Sequence, residues 1–429
     1  MPRYKKKKHN RLLSSPKNRV KAPKNRDYSY DITMSPSKDN SADTPDKKEK
    51  MRVIKGKKPE RRRKISTAIV IVGVVLIVSA VLQILLPAGI IQTAKNLVSL
   101  VGTGNYPITV SGGEVLSVDT QNNYYYLLTD THISAYSSGG KVLFSRQHGF
   151  DKPILVTSKG KALIYNQGGQ QYSVFDLNGK FQNFDTEEKI ITAAIADNGN
   201  YAVATYSNSY ASAVTVFSKR NKQIYEWYSA EDTVNNIALS STGKKLAVSS
   251  FNSSSGLFKS KVNVINFKTA TPEFSQEYEN RYIYGLSATH KFGFSVIKSN
   301  GVDFIKWSNH AKTEYTDDYK ITYFRHCGSS VVCVFNRDSD MTDNKIVIFN
   351  SKGDVKESVN YKGVINDIRV KGSNIYCIND STVSVLDFEG NVKFTAEYGY
   401  GGSGITVISA NVVAVVTDSE IQRVKLNAD

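Results

Sequence analysis

The sequence predicts an all-β chain whose bulk is a β-propeller of eight blades, with seven as the alternative count, behind a single membrane-spanning helix and a basic tail. Three observations predict it. The excess positive charge is confined to the first 64 residues, and an uncharged apolar run follows at once. From residue 105 onward, short apolar segments of period two recur in groups of four, at intervals of about 36 to 48 residues.

The 429 residues carry a formal net charge of +17. Residues 1–64 hold 23 Lys and Arg against 7 Asp and Glu, whereas the other 365 residues hold 33 against 32. This partition excludes a basic globular nucleic-acid binder and assigns the excess to a tail. The tail has little apolar periodicity and cannot bury enough surface to offset the entropy of ordering, so residues 1–64 are expected to be disordered.

Residues 65–91 are read as a transmembrane helix. From Ile65 to Leu86 there are 22 residues without a charge. As a helix they reach roughly 33 Å, against about 30 Å of bilayer hydrocarbon. Arg61, Arg62, Arg63 and Lys64 crowd the amino-terminal flank, and beyond the run Lys95 is the first charge. The positive flank places the tail in the cytoplasm, beside anionic lipid, and the rest of the chain outside. Residues 92–104 then form a linker and residues 105–429 an extracytoplasmic domain.

That domain repeats. One copy runs from Ile191 to Ile195, turns at Asp197–Asn200, continues through Tyr201–Thr205 and Ala213–Phe217, and ends with Gln223–Tyr228. Other copies begin near Val115, Ile154, Val234, Tyr282, Ile321, Ile365 and Ile405. No helical periodicity interrupts them, which excludes coiled coils, helical solenoids and TIM barrels. The last copy supplies only three strands, and Tyr106–Val110 is a spare strand of the right length to complete it and close the ring. Gly140, Gly179, Gly353 and Gly390 recur between the third and fourth strands, where a hairpin needs positive φ.

The segment Val174-Phe175-Asp176-Leu177-Asn178-Gly179-Lys180 resembles the repeats of the WD40-like and quinoprotein-like propeller superfamily, although the Trp-Asp pair and the tryptophan docking ring are missing. The whole layout resembles an uncharacterised family of membrane-anchored propellers from Gram-positive bacteria, known as a domain of unknown function. The resemblance implies an envelope location and brings no catalytic motif.

Few residues point to chemistry. Gly399-Tyr400-Gly401-Gly402-Ser403-Gly404 has the glycine spacing of a dinucleotide loop, but a strand follows where a helix N-terminus is needed. No cofactor is expected. The histidines are scattered singly, and Cys327, Cys333 and Cys377 are read as buried thiols. Asp338, Asp340 and Asp343, with Asn344, have a spacing that could gather calcium, but the Gly bend and bidentate Glu of a calcium loop are missing, so a solvated acidic loop is the preferred reading.

In a propeller, first-to-second and third-to-fourth turns share one face, and second-to-third and blade-to-blade connections share the other. The long second-to-third connections are expected at Ser207–Ser212, Asn252–Lys261 and Asn336–Asn344. Long connections on a rigid scaffold carry recognition. Tyr206, Tyr210, Phe251, Phe258, Asp338, Asp340 and Asp343 are therefore the candidate binding residues, for an envelope protein or a wall polymer. The alternative is a glycan hydrolase or lyase with paired carboxylates at the central mouth, to which Asp119 would contribute.

Overall fold

The computed structural model describes residues 104–426, except residues 122, 255, 270, 290, 291, 328, 329 and 338–340. The expectations for residues 1–64 and 65–91, for nearly all of the 92–104 linker, and for Asp338 and Asp340 lie outside the described residues.

The described strands form eight antiparallel sheets of four, and no helix is present among them. Blades are numbered here from Val115; their first strands begin at Val115, Pro153, Ile190, Thr233, Ile283, Lys320, Asp367 and Gly402. The alternative of seven is thereby excluded. Blade 8 takes three strands from the carboxy-terminal end of the described chain, Gly402–Ser409, Val412–Thr417 and Glu420–Lys425. Its fourth comes from the other end, with Ile108 opposite Ile421 and Thr109 opposite Glu420. The amide of Val110 extends the pairing to the Ser419 carbonyl at 2.9 Å.

The period-two pattern arises because each middle strand feeds two cores. In blade 6, Val331, Cys333 and Phe335 of the second strand join the core shared with blade 5. Val332 and Val334, pointing the other way, join the core shared with blade 7. Eight such interblade clusters follow one another around the ring, and the one between blades 8 and 1 contains Val110, Val118, Tyr125 and Ile421. Each fully buried Val or Ile contributes roughly 1.5–3 kcal/mol. The fourth strands lie at the rim and bury one side only, as the alternating exposure of Lys312–Thr316 shows.

Turn chemistry follows the glycines. Gly140, Gly179, Gly353 and Gly390 have φ of 87°, 69°, 95° and 89°. Asn221 and His310 take the same role in blades 3 and 5 at 63° and 58°.

The two faces are built differently. On the tight-turn face, neighbouring blades are tied through their first-to-second turns: Gln121 Nε2 donates to Thr157 Oγ1 at 3.0 Å, and Ser158 Oγ to Asp197 Oδ1 at 3.2 Å. Asn198 and Asn200 donate to the carbonyls of Thr242 and Gly243 at 2.6 and 3.2 Å. The chain also enters the propeller here, with Gly104 N bonded to Gly139 O at 3.0 Å in the third-to-fourth turn of blade 1.

The opposite face departs from expectation at two places. Asn252–Lys261 is a continuation of two strands, Lys245–Ser254 and Leu257–Asn266, paired out to Ser254 opposite Leu257. The serines and Asn252 imitate loop composition. Phe251 and Phe258, diagonal neighbours on one side of this ladder, supply the packing that extends it. Asn336 and Asn344 are likewise paired with each other, which shortens that connection to residues 337–342.

Candidate functional site: the aromatic face and the channel

The extended hairpin of blade 4 and the connection into blade 5 bring four rings together. Phe251 and Phe258 lie 5.8 Å apart, centroid to centroid, and Tyr282 is 5.9 and 6.1 Å from them. Tyr284 meets Tyr282 edge-on at 5.2 Å. Tyr284 stands in a first strand whose register shifts between Ile283 and Gly285, and a bulge of this kind re-aims the inserted side chain. Tyr284 is 56 % exposed and Tyr282 40 %. In blade 3, Tyr210 packs against Tyr228 at 4.7 Å, each a little under half exposed, and Tyr206 is exposed nearby in sequence. Between these groups a groove of 720 Å³ is lined by Tyr228, Glu231, Asp232, Leu257, Lys259 and Glu277. Aromatic surface left open at this density, beside a groove with polar groups, is suited to covering by a partner.

Of the candidates read from the sequence, Phe251 and Phe258 are in contact with each other, and Tyr206 and Tyr210 occupy the connection of blade 3. Asp343 opens the third strand of blade 6, with its carboxylate 4.0 Å from Arg337. Asn344 is buried, with its amide donating to the carbonyls of Met341 and Gly363 and its oxygen accepting from Asn336. Its side chain is thus committed to holding the connection together. Tyr228 was not among the candidates because it lies at the end of a rim strand, where an aromatic reads as an ordinary strand former.

A second cluster fills part of the central channel, where the first strands of different blades converge. Asp367 of blade 7 accepts Arg369 Nη1 and Tyr323 OH on one oxygen, both at 2.6 Å, and the Ile405 amide on the other at 2.9 Å. Arg325 of blade 6 lies 3.4 Å from Asp367 and donates to Tyr323 OH. Both guanidiniums then donate to the carbonyl of Val118 in blade 1, at 2.9 and 3.2 Å. Because blades 6 and 1 are not neighbours, the Arg325 bond crosses the channel. Burial first, and the Asp367 charge second, push the Tyr323 phenol well above its usual range. Asp119, at the end of the first strand of blade 1, accepts the hydroxyl of Thr157. The signal in the sequence was the charge in Lys320–Cys327 and Asp367–Lys371, since the other first strands are mostly apolar or small.

All three cysteines are free thiols, and burial pushes the thiols of Cys327, Cys333 and Cys377 up. Among the described residues, no group of three or more His, Cys, Asp or Glu is placed to hold a metal ion. The segment with dinucleotide-like glycine spacing runs directly into the first strand of blade 8, with Gly399 and Gly401 at φ 108° and 80°.

Closure by the first described strand, a charged cluster across the channel and a face with exposed aromatic rings define an eight-bladed propeller. The chain belongs to the family of unknown function DUF5711, whose model matches residues 106–426. No curated protein matches it. Among solved structures it is similar to BamB from Moraxella catarrhalis, at 11 % identity and a TM-score of 0.47, over 75 % of this chain and 100 % of that one. It is also similar to the β-propeller domain of Cps50 (Swd1) from Myceliophteria thermophila, at 10 % identity and a TM-score of 0.43, over 76 % and 99 % of the two chains.

Proposed function

We propose that this chain is a binding module held at the cell envelope by its amino-terminal apolar run, with the propeller outside the membrane and the aromatic face contacting a partner protein or wall polymer. The observation that carries the reading is the exposed pair Tyr282 and Tyr284, packed on the half-buried rings of Phe251 and Phe258, on the blade 4 hairpin whose other side lines the blade 3–4 groove. Two features support it. Gly104, the first described residue, lies on the tight-turn face, away from the aromatic face. At the channel, both oxygens of Asp367 are taken by donors and Asp119 is engaged by Thr157, whereas glycan hydrolysis asks for a carboxyl free to meet substrate.

The test is capture from envelope extracts by the full-length protein, with the double variant Tyr282→Ala, Tyr284→Ala alongside. Protein or wall polymer retained by the parent and lost with the variant, at unchanged melting temperature, is the expected result. Equal retention by both chains would remove the aromatic face from consideration.

A further inference from the structure

The tight-turn face carries a charge pattern that the binding reading leaves unused. In blades 2 to 4, Lys159 is set against Asp197 at 3.2 Å and Lys245 against Glu273. Six further cations occupy the turns of the same face: Lys180, Lys219, Arg220, Lys222, Lys244 and Lys268, all exposed. None of the six has a carboxylate partner among the described residues. Asp176, in the same region, uses its Oδ1 to accept the amides of Asn178 and Lys180 within its own turn. Like charge is crowded here. The ammonium of Lys161 reaches the Lys219 carbonyl at 3.0 Å, and burial first, then the neighbouring Lys219 charge, push its pKa down against the pull of Asp176. On the other face of the same blades, the connections and the blade 4 hairpin carry Glu187, Glu188, Glu231, Asp232, Glu277 and Glu279 against Lys189, Lys259, Lys261 and Arg281. Blades 2 to 4 are therefore polarised across their thickness, basic on the face where Gly104 lies.

We propose that this basic patch docks on the anionic headgroups of the lipid bilayer. Charge complementarity is the first argument: unpaired Lys and Arg gain roughly 1 kcal/mol each near an anionic leaflet. The place of chain departure is the second. Gly104 lies on the tight-turn face, bonded to the turn of blade 1 that neighbours blade 2, and in sequence the apolar run ends at Leu86, so the segment that joins them is short. The inference takes the membrane from the anchoring proposed above. Its test does not need the anchor, so failure of one is distinguishable from failure of the other.

The eight sheets are completed within residues 104–426, and this segment closes its own ring, so residues 104–429 can be examined alone. The experiment is cosedimentation of that segment with vesicles of phosphatidylcholine plus phosphatidylglycerol, and with vesicles of phosphatidylcholine only. Binding is expected to be at least about tenfold stronger to the anionic vesicles and to fall with added salt. The variant Lys180→Glu, Lys219→Glu, Arg220→Glu, Lys222→Glu should lose it, and the same four positions changed to Gln should weaken it with the fold retained by circular dichroism. Tyr282→Ala with Tyr284→Ala should leave it intact. Equal binding to both vesicle types, binding that survives charge reversal, or binding to soluble polyphosphate without binding to vesicles would overturn the proposal.

Discussion

The two faces of one ring, made from the same repeated strands, have been put to different uses. On the tight-turn face, glycines and asparagines hold short hairpins, and side chains of one blade bond to the turn of the next, from Gln121 and Thr157 to Asn200 and Gly243. On the opposite face, the strands of blade 4 run on past the sheet and rings gather in the open. Side chains tie turn to turn on the first face, whereas on the second the blades are joined largely through backbone amides, as from Gly168 to the Ile190 carbonyl and from Ile321 to the Ser299 carbonyl, both at 2.8 Å, and apolar rings are presented beside those joints.

Removing the closing strand should break the tight-turn side most severely. Deleting Tyr106–Val110 leaves the last strand of blade 8 unpaired and strips Val110 from the core between blades 8 and 1. Thermal unfolding of the shortened chain should show a loss of several kcal/mol across the whole propeller, on the order of a large core truncation. A smaller lesion on the same side is Gly140→Ala. A Cβ there would sit 2.5 Å from the ring of Tyr106, on a backbone with φ of 87°. We expect a cost of about 1–3 kcal/mol in denaturant melts, with the aromatic face still competent to bind.

Acid should separate the interior from both faces. Burial lowers the pKa of His326, whose Nε2 has no partner, to about 4 from an ordinary 6.5. The folded state resists taking up this proton while the unfolded state accepts it. The contribution is thus fully present above pH 6.5 and is lost progressively as pH falls from 6.5 toward 4. The melting temperature should decline across that window, and His326→Gln should flatten the decline. A variant with an unchanged slope would place the acid sensitivity elsewhere.

Much of this architecture was legible because its determinants are local and repeated. Four-strand copies announced themselves through period-two apolar runs, the positive-φ glycines through their recurrence at one turn, and the closure through a strand left over before blade 1 and one missing after blade 8. What was hidden depends on pairing across the chain. The blade 4 hairpin was read as a connection because Ser and Asn dominate it, and only its register shows Phe251 and Phe258 on one side. The channel cluster joins Val118 to Arg325 and Arg369, more than 200 residues away, which no local pattern signals. The bulge that re-aims Tyr284 is equally silent, since one inserted residue leaves the apolar alternation nearly intact.

The central claim, that the aromatic face meets a partner while the basic face lies toward lipid, is tested most directly by photocrosslinking the full-length protein in intact cells from two single positions, Tyr284 and Arg220. We predict a discrete adduct with a partner protein or wall polymer from position 284, and lipid adducts from position 220. Partner adducts from position 220 together with none from position 284 would contradict the account.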